Sequence, residues 1–148
     1  MPYTESFIME TLRFSSLGPL SLAHRAIEDV MLGGYRIPKD SMIFANVYCI
    51  HHSKEIWADP EAFRPERFLN PDGTCMGKHD ALLPFSVGRR VCIGENLAKN
   101  ELFLFITSII QTFHVTWDPS RPKPGLEKVS GPVQGPKPHY LIFTVRQS

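Results

Sequence analysis

Several things are scarce in this sequence. Cysteine is one: Cys49, Cys75 and Cys92 are the only three among 148 residues. An odd number without Cys-x-x-Cys spacing excludes a disulfide framework and fits a reducing compartment. Net charge is another, at +1 with 16 basic and 15 acidic residues. That balance argues against a general nucleic-acid binder. Long apolar runs are also missing. The longest, residues 102–110, contains Thr107 and Ser108 and falls far short of the roughly 20 residues that cross a bilayer. No signal-peptide pattern opens the chain, and no internal repeat occurs. Proline, by contrast, is abundant. There are 13, close to twice the usual share of about 5%, so much of the chain must be loop. The apolar share of 43% is ordinary, and the length suits one domain.

The densest chemistry lies in Phe85-Ser-Val-Gly-Arg-Arg-Val-Cys-Ile-Gly94. Cys92 stands between Gly88 and Gly94, and glycine allows positive φ and close backbone approach. Nearby cations and a helix N-terminus lower a thiol pKa, and the thiolate is the form that binds metal. Arg89 and Arg90 supply the cations, and a helical pattern starting near Glu95 supplies its positive end. Cys92 is thus placed to be a thiolate that accepts backbone hydrogen bonds on one side and faces a metal on the other. One cysteine cannot fill a tetrahedral zinc site. A haem needs only one proximal protein ligand, and thiolate is among the known choices. The bland reading of Cys92 is a small buried hydrophobe.

The remaining elements follow in order. Residues 1–14 read as a helix, with Pro2 suited to its first turn and Phe7, Ile8 and Leu12 at helical spacing. Glu10 and Arg13, three apart, share a face; taken alone they read as a solvated pair worth little. Gly18-Pro19 breaks the helix. Residues 20–27, with His24, read as a strand, and residues 29–38 as a hairpin turning at Gly33-Gly34. Residues 41–50 read as a buried strand containing Cys49. His51 and His52, with Cys49, Cys75 and His79, raise a zinc alternative, but their spacings fit no usual ligand pair. Residues 53–57 read as a short helical turn. Pro65-Glu66-Arg67-Phe68 sits in a stiff, aromatic-anchored segment, and residues 70–83 read as a loop with a Pro71-Asp72-Gly73 turn. Residues 95–113 read as a helix apolar nearly all round in its second half, hence buried. Strands at 112–117 and 139–145 close the chain, around a Pro/Gly-rich stretch at 119–138.

Phe85, Gly88, Arg90, Cys92 and Gly94 match position for position the cysteine-loop signature of the haem-thiolate monooxygenases (cytochrome P-450), which the sequence therefore resembles. Glu10-x-x-Arg13 and Pro65-Glu66-Arg67-Phe68 match two more of that family's motifs, in the family's order. Residues 85–105 are similar to its microsomal, family-2-like branch. The resemblance implies a mainly α fold with small β-sheets (α+β), of which this chain is the C-terminal portion of a single catalytic domain. The membrane anchor, the distal helix and its acid–threonine pair would lie outside these 148 residues. It implies haem b ligated by Cys92 and cradled by Phe85, Gly88 and Gly94, with Arg90 and His24 on propionates. Glu10, Arg13 and Arg67 would form a buried structural triad. Leu20, Leu22, Val129, Gly131 and Val133 would be pocket residues for a small lipophilic substrate. It further implies electrons from NADPH through cytochrome P-450 reductase, docking at a face made basic by Lys78, Arg89 and Lys99, with cytochrome b5 as a second partner, at the endoplasmic reticulum membrane. The competing expectation is a truncated, non-catalytic haem- or reductase-binding product.

Overall fold

The computed structural model describes residues 1–147. Its first element, α1 (Pro2–Ser15), follows from local chemistry. Proline occupies the first turn, Glu5 lies near the positive end and Arg13 near the negative end. Ser16 stops the helix in a left-handed conformation, φ 42°, its N–H returning to Leu12 O at 3.2 Å. The face it buries is not purely apolar: Ser6, Ile8, Met9, Glu10 and Arg13 all point inward.

Residues 20–27 do not form one strand. Only β1 (His24–Arg25) does, because Ser21 sits at φ 55° and breaks the run. The hairpin is β2 (Val30–Leu32) against β3 (Tyr35–Ile37), with Gly33 at φ 55° and Gly34 at φ 84°. Two successive positive φ values define the primed turn that matches strand twist. The largest correction falls on residues 41–50. Only β4 (Met42–Ile43) is strand, pairing with β1; the rest is α2 (Val47–His51), and Cys49 is exposed. Asn46 accepts the Cys49 N–H at 3.0 Å, and this side-chain cap outweighs the β-propensity of the run. Next come α3 (Lys54–Trp57) and a 3-10 turn over Pro65–Phe68. That turn packs on α1, where the Ser6 hydroxyl donates to Phe68 O at 3.3 Å.

The core gathers here: Met9, Trp57 and Phe68 are buried together, with Cys75, Ala81 and Leu82 against them. Burying one such side chain is worth roughly 1.5–3 kcal/mol. The long helix α4 (Glu95–Thr112) behaves differently. The sequence reading had it buried, yet none of its residues is buried, and Leu104, Phe105 and Ile110 are exposed. It leads into β5 (Phe113–Trp117). A hairpin of β6 (Lys128–Val129) and β7 (Gly135–Pro136) orders part of the proline-rich stretch. Finally β8 (Leu141–Val145) pairs antiparallel with β5, from Phe113 opposite Val145 to Trp117 opposite Leu141. Arg146 closes the junction, its Nε donating to Ile110 O at 2.7 Å at the end of α4. Mixed helix and small antiparallel sheets is the α+β class expected.

Candidate functional site

The cysteine loop is held by its own backbone. The Cys92 N–H donates to Phe85 O at 2.8 Å, and the Val91 N–H to Gly88 O at 3.2 Å. Gly88 sits at φ 75° and Ser86 at φ 65°, so the left-handed conformation is needed at Gly88. Gly94 takes an ordinary φ of −90° as the N-cap of α4, and a Cβ there would meet the Cys92 Sγ at an unstrained 3.8 Å. Of the two glycines flanking Cys92, only Gly88 therefore uses a positive φ. The Cys92 carbonyl accepts the Glu95 N–H at 3.3 Å. Hydrogen bonds at Cys92 thus run through its backbone, and its thiol is free and exposed at the positive end of an 18-residue helix.

The surrounding charges differ from a uniform basic face. Lys99 pairs with Glu95 at 2.6 Å and Lys78 with Asp80 at 3.6 Å. Arg89 and Arg90 are exposed and form no ion pair among the described residues. Lys99 Nζ also lies over the Phe85 ring at 5.9 Å. No group of three metal-ligating side chains occurs among the described residues, so the zinc alternative has no geometry behind it. The donor set at the loop is one accessible thiol, two unpaired guanidinium groups and a helix N-terminus. It fits a group that takes a single thiolate ligand and carries acidic substituents, as haem does.

A buried ionic cluster joins α1 to the Pro65–Phe68 turn. Glu10 receives Arg13 twice, Nε to Oε2 and Nη2 to Oε1, both at 2.8 Å. Its Oε1 also accepts Arg67 Nε at 3.2 Å and the Arg64 N–H at 2.8 Å. Side-chain exposure is 0% for Glu10 and Arg13 and 8% for Arg67. The cations continue outward: Arg13 donates to the carbonyls of His51, Pro60 and Ala62, and Arg67 to those of Trp57, Asp59 and Ala62. Both guanidinium groups lie over Trp57, at 5.4 and 6.0 Å.

The sequence reading weighed a second buried group, His51, only as a zinc ligand. Its Nε2 receives the Leu83 N–H at 2.9 Å, and its Nδ1 meets the Ser16 hydroxyl at 3.0 Å. Burial, then the charges of His52, Arg13 and Lys128, push its pKa down to about 4. His52 is lowered too, by burial and by Lys128, whose Nζ bonds Phe14 O and reaches His52 Nε2 at 3.3 Å. No local spacing signals any of this, because the partners lie tens of residues apart.

The remaining candidates lie along an open edge. His24 is exposed in β1, opposite Ile43. Leu20, Leu22, Val129 and Val133 are exposed, and Gly131 turns so tightly that a Cβ would lie 3.3 Å from Val133 O. The Gln134 N–H donates to Leu17 O at 2.8 Å, which brings the 129–133 turn beside the segment before Leu20. An open cavity of about 440 Å3 there is lined by Phe14, Tyr48, Lys128 and Gln134. Cys92 does not line it.

The arrangement of the cysteine loop, the buried Glu-x-x-Arg pair and the Arg67 turn fits a haem-thiolate protein, and comparison with known proteins agrees on the family. The family model for cytochrome P450 matches residues 1–143. A farnesoate epoxidase from Bombyx mori is 43% identical over 148 residues, all of this chain and 30% of that protein. Cytochrome P450 1A5 from Gallus gallus is 47% identical over 113 residues, 75% of this chain and 21% of that protein. Cytochrome P450 2U1 from Bos taurus is 41% identical over 146 residues, 99% of this chain and 26% of that protein. The chain belongs to the cytochrome P450 family. It spans less than a third of the length of these relatives, and the family implies a haem cofactor.

Proposed function

We propose that these 148 residues are the C-terminal portion of one catalytic domain and supply the thiolate side of a haem monooxygenase. The observation that carries this reading is the Cys92 thiol, free and exposed at the N-terminus of α4 beside Arg89 and Arg90. Haem supplies the redox chemistry that activates O2 for insertion into an organic substrate. The chain's own residues do the rest. Cys92, at the helix terminus and beside two guanidinium groups, would supply the sulfur ligand to the iron. Arg90 and His24 would hold the haem propionates. Glu10, Arg13 and Arg67 fix the backbone where α1 meets the Pro65–Phe68 turn. Leu20, Leu22, Val129, Gly131 and Val133 line one edge of the substrate region, and the substrate is a small lipophilic molecule. The epoxidase relative's name accords with oxygen insertion into such a compound.

Electrons come from NADPH through the flavin reductase, with cytochrome b5 as a second donor, both meeting the face around Arg89. The endoplasmic reticulum membrane is the setting; among the described residues no helix is long and apolar enough to cross a membrane. The test is Cys92→Ser in the haem-loaded protein. The reduced carbon monoxide complex should lose the long-wavelength Soret band of thiolate ligation, and a variant that kept it would refute the assignment. One observation favours a non-catalytic reading of the isolated chain, namely that α4 buries none of its residues. Carbon monoxide difference spectra and turnover with reductase and NADPH on the 148-residue chain separate the two.

A further inference from the structure

The hydrogen bonds at His51 fix its protonation state without reference to any titration. A backbone N–H can only donate, so the bond from Leu83 at 2.9 Å makes Nε2 an acceptor. The Ser16 hydroxyl gives its proton to Arg13 O at 2.9 Å. Its oxygen therefore accepts from His51 Nδ1 at 3.0 Å. His51 is the neutral Nδ1–H tautomer, and both ring nitrogens are spoken for. Its own carbonyl is taken by Arg13 Nη1 at 2.7 Å.

These bonds join parts that otherwise have little in common. Arg13 belongs to the ionic cluster, Ser16 ends α1, and Leu83 stands two residues before Phe85. Phe85 O in turn holds the Cys92 N–H. A continuous path of hydrogen bonds and two peptide links thus runs from Glu10 through Arg13 and His51 to the cysteine loop. Residues 76–87 otherwise contain little regular structure, so the imidazole is a principal tether of the loop's entry.

We propose that His51 is a positioning residue for the cysteine loop, a neutral imidazole that sets the segment entering the loop against the buried ion cluster. The proposal rests on the reading of Cys92 as haem ligand for its functional meaning. The groups facing His51 would oppose a second proton: Arg13 from α1, Lys128 from β6 and its neighbour His52. The acid of the adjoining cluster, Glu10, has both its oxygens engaged by guanidinium groups. A protonated Nε2–H would also face the Leu83 N–H and expel it.

The experiment compares His51→Leu and His51→Gln in the haem-loaded protein. Amide hydrogen exchange over residues 83–92 is read beside the carbonyl-complex Soret band and the imidazole 15N shifts of the unaltered protein. Leucine removes the acceptor, so exchange over 83–92 should rise roughly tenfold, about 1.4 kcal/mol, and the thiolate band should weaken. Glutamine keeps an acceptor oxygen near the Nε2 position and should restore both. On acidification the unaltered protein should lose loop protection as His51 titrates, and the glutamine variant should lack that step. Unchanged exchange in His51→Leu, failure of glutamine to rescue, or a 15N pattern with the proton on Nε2 each overturns the proposal. If His51→Leu does not fold, the tautomer and the glutamine variant still decide it. Should Cys92→Ser keep the thiolate band, the haem assignment fails, while the exchange coupling between His51 and residues 83–92 stands or falls separately.

Discussion

Among the described residues, Glu10 is the only anion that pairs with Arg13, and its loss should be felt throughout the core. Glu10→Gln keeps the shape and removes the charge. Oε1 accepts three hydrogen bonds, from Arg13, Arg67 and the Arg64 N–H, while Oε2 accepts one from Arg13 Nε. The amide therefore settles with its oxygen at the Oε1 position, and its NH2 confronts the Arg13 Nε–H. Arg67 retains Asp59 at 3.3 Å as a second acid, but Arg13, wholly buried, becomes an uncompensated cation. Breaking one partner out of a buried pair costs about 3–5 kcal/mol. The glutamine variant should lie at the low end, since the three Oε1 bonds survive in weakened form. At about 2–4 °C per kcal/mol for a chain of this size, the melting temperature should fall by about 6–12 °C. Trp57 is a built-in probe, lying under both guanidinium groups and stacked on His79 at 4.4 Å. Urea unfolding followed by its fluorescence, with Trp117 replaced, gives the value directly. Adding Arg13→Met to Glu10→Gln should recover part of the loss, because the orphaned charge goes with it. A loss under about 1 kcal/mol, or no recovery in the double variant, would refute the account of the cluster as a compensated buried charge.

His51 gives a pH prediction. Its folded pKa, about 4, lies below the ordinary 6.5, so the unfolded chain binds the proton more readily. The stabilisation is complete above pH 6.5 and is lost as pH falls towards 4, to a limit of about 3 kcal/mol. Urea midpoints between pH 7 and 4 should show this slope, and His51→Gln should flatten it. Asn46→Ala should cost about 1 kcal/mol and raise amide exchange within Val47–His51; unchanged exchange would mean the cap is not what selects helix there. Arg89→Glu should slow electron delivery from the reductase at low ionic strength, the defect shrinking as salt screens the contact. Stopped-flow first-electron transfer that does not change would remove Arg89 from the docking face.

What could be read from the sequence divides by the range of the interaction that decides it. The Gly33-Gly34 hairpin and α1 were legible because their signals sit within a turn or two. Residues 41–50 misled because two local signals compete. Their β-formers argue for a strand, but Asn46 caps a helix that tertiary bonds then fix: Tyr48 N–H to Pro19 O at 3.0 Å and Trp57 Nε1 to Ile50 O at 2.8 Å. Arg67 joins Glu10 across 57 residues. Only the family resemblance suggested that pairing, since nothing in the spacing does. The sequence raised His51 only as a zinc ligand, because its actual partners, Ser16 and Leu83, are a hydroxyl and a backbone amide, which leave no mark on sequence pattern.

The polar character of the core has a physical reason in the composition. Arg13, Phe68, His51 and Glu10 are its largest fully buried side chains, and three of the four carry hydrogen-bonding groups. Such clusters are weak contributors to net stability compared with well-packed hydrophobes. They do supply direction. A chain with 13 prolines has fewer backbone donors, and its irregular segments leave carbonyls that no ladder satisfies, yet buried carbonyls must find partners. Here Arg13 and Arg67 take the place of a neighbouring strand, serving the carbonyls of residues 51, 57, 59, 60 and 62 from two guanidinium forks. A planar group with five donors can span carbonyls that point from different segments, which a lysine ammonium cannot. Glu10 then holds both forks at one origin. The loop's entry is fixed to the same origin through His51, so the position of Cys92 depends on an ion cluster it never touches.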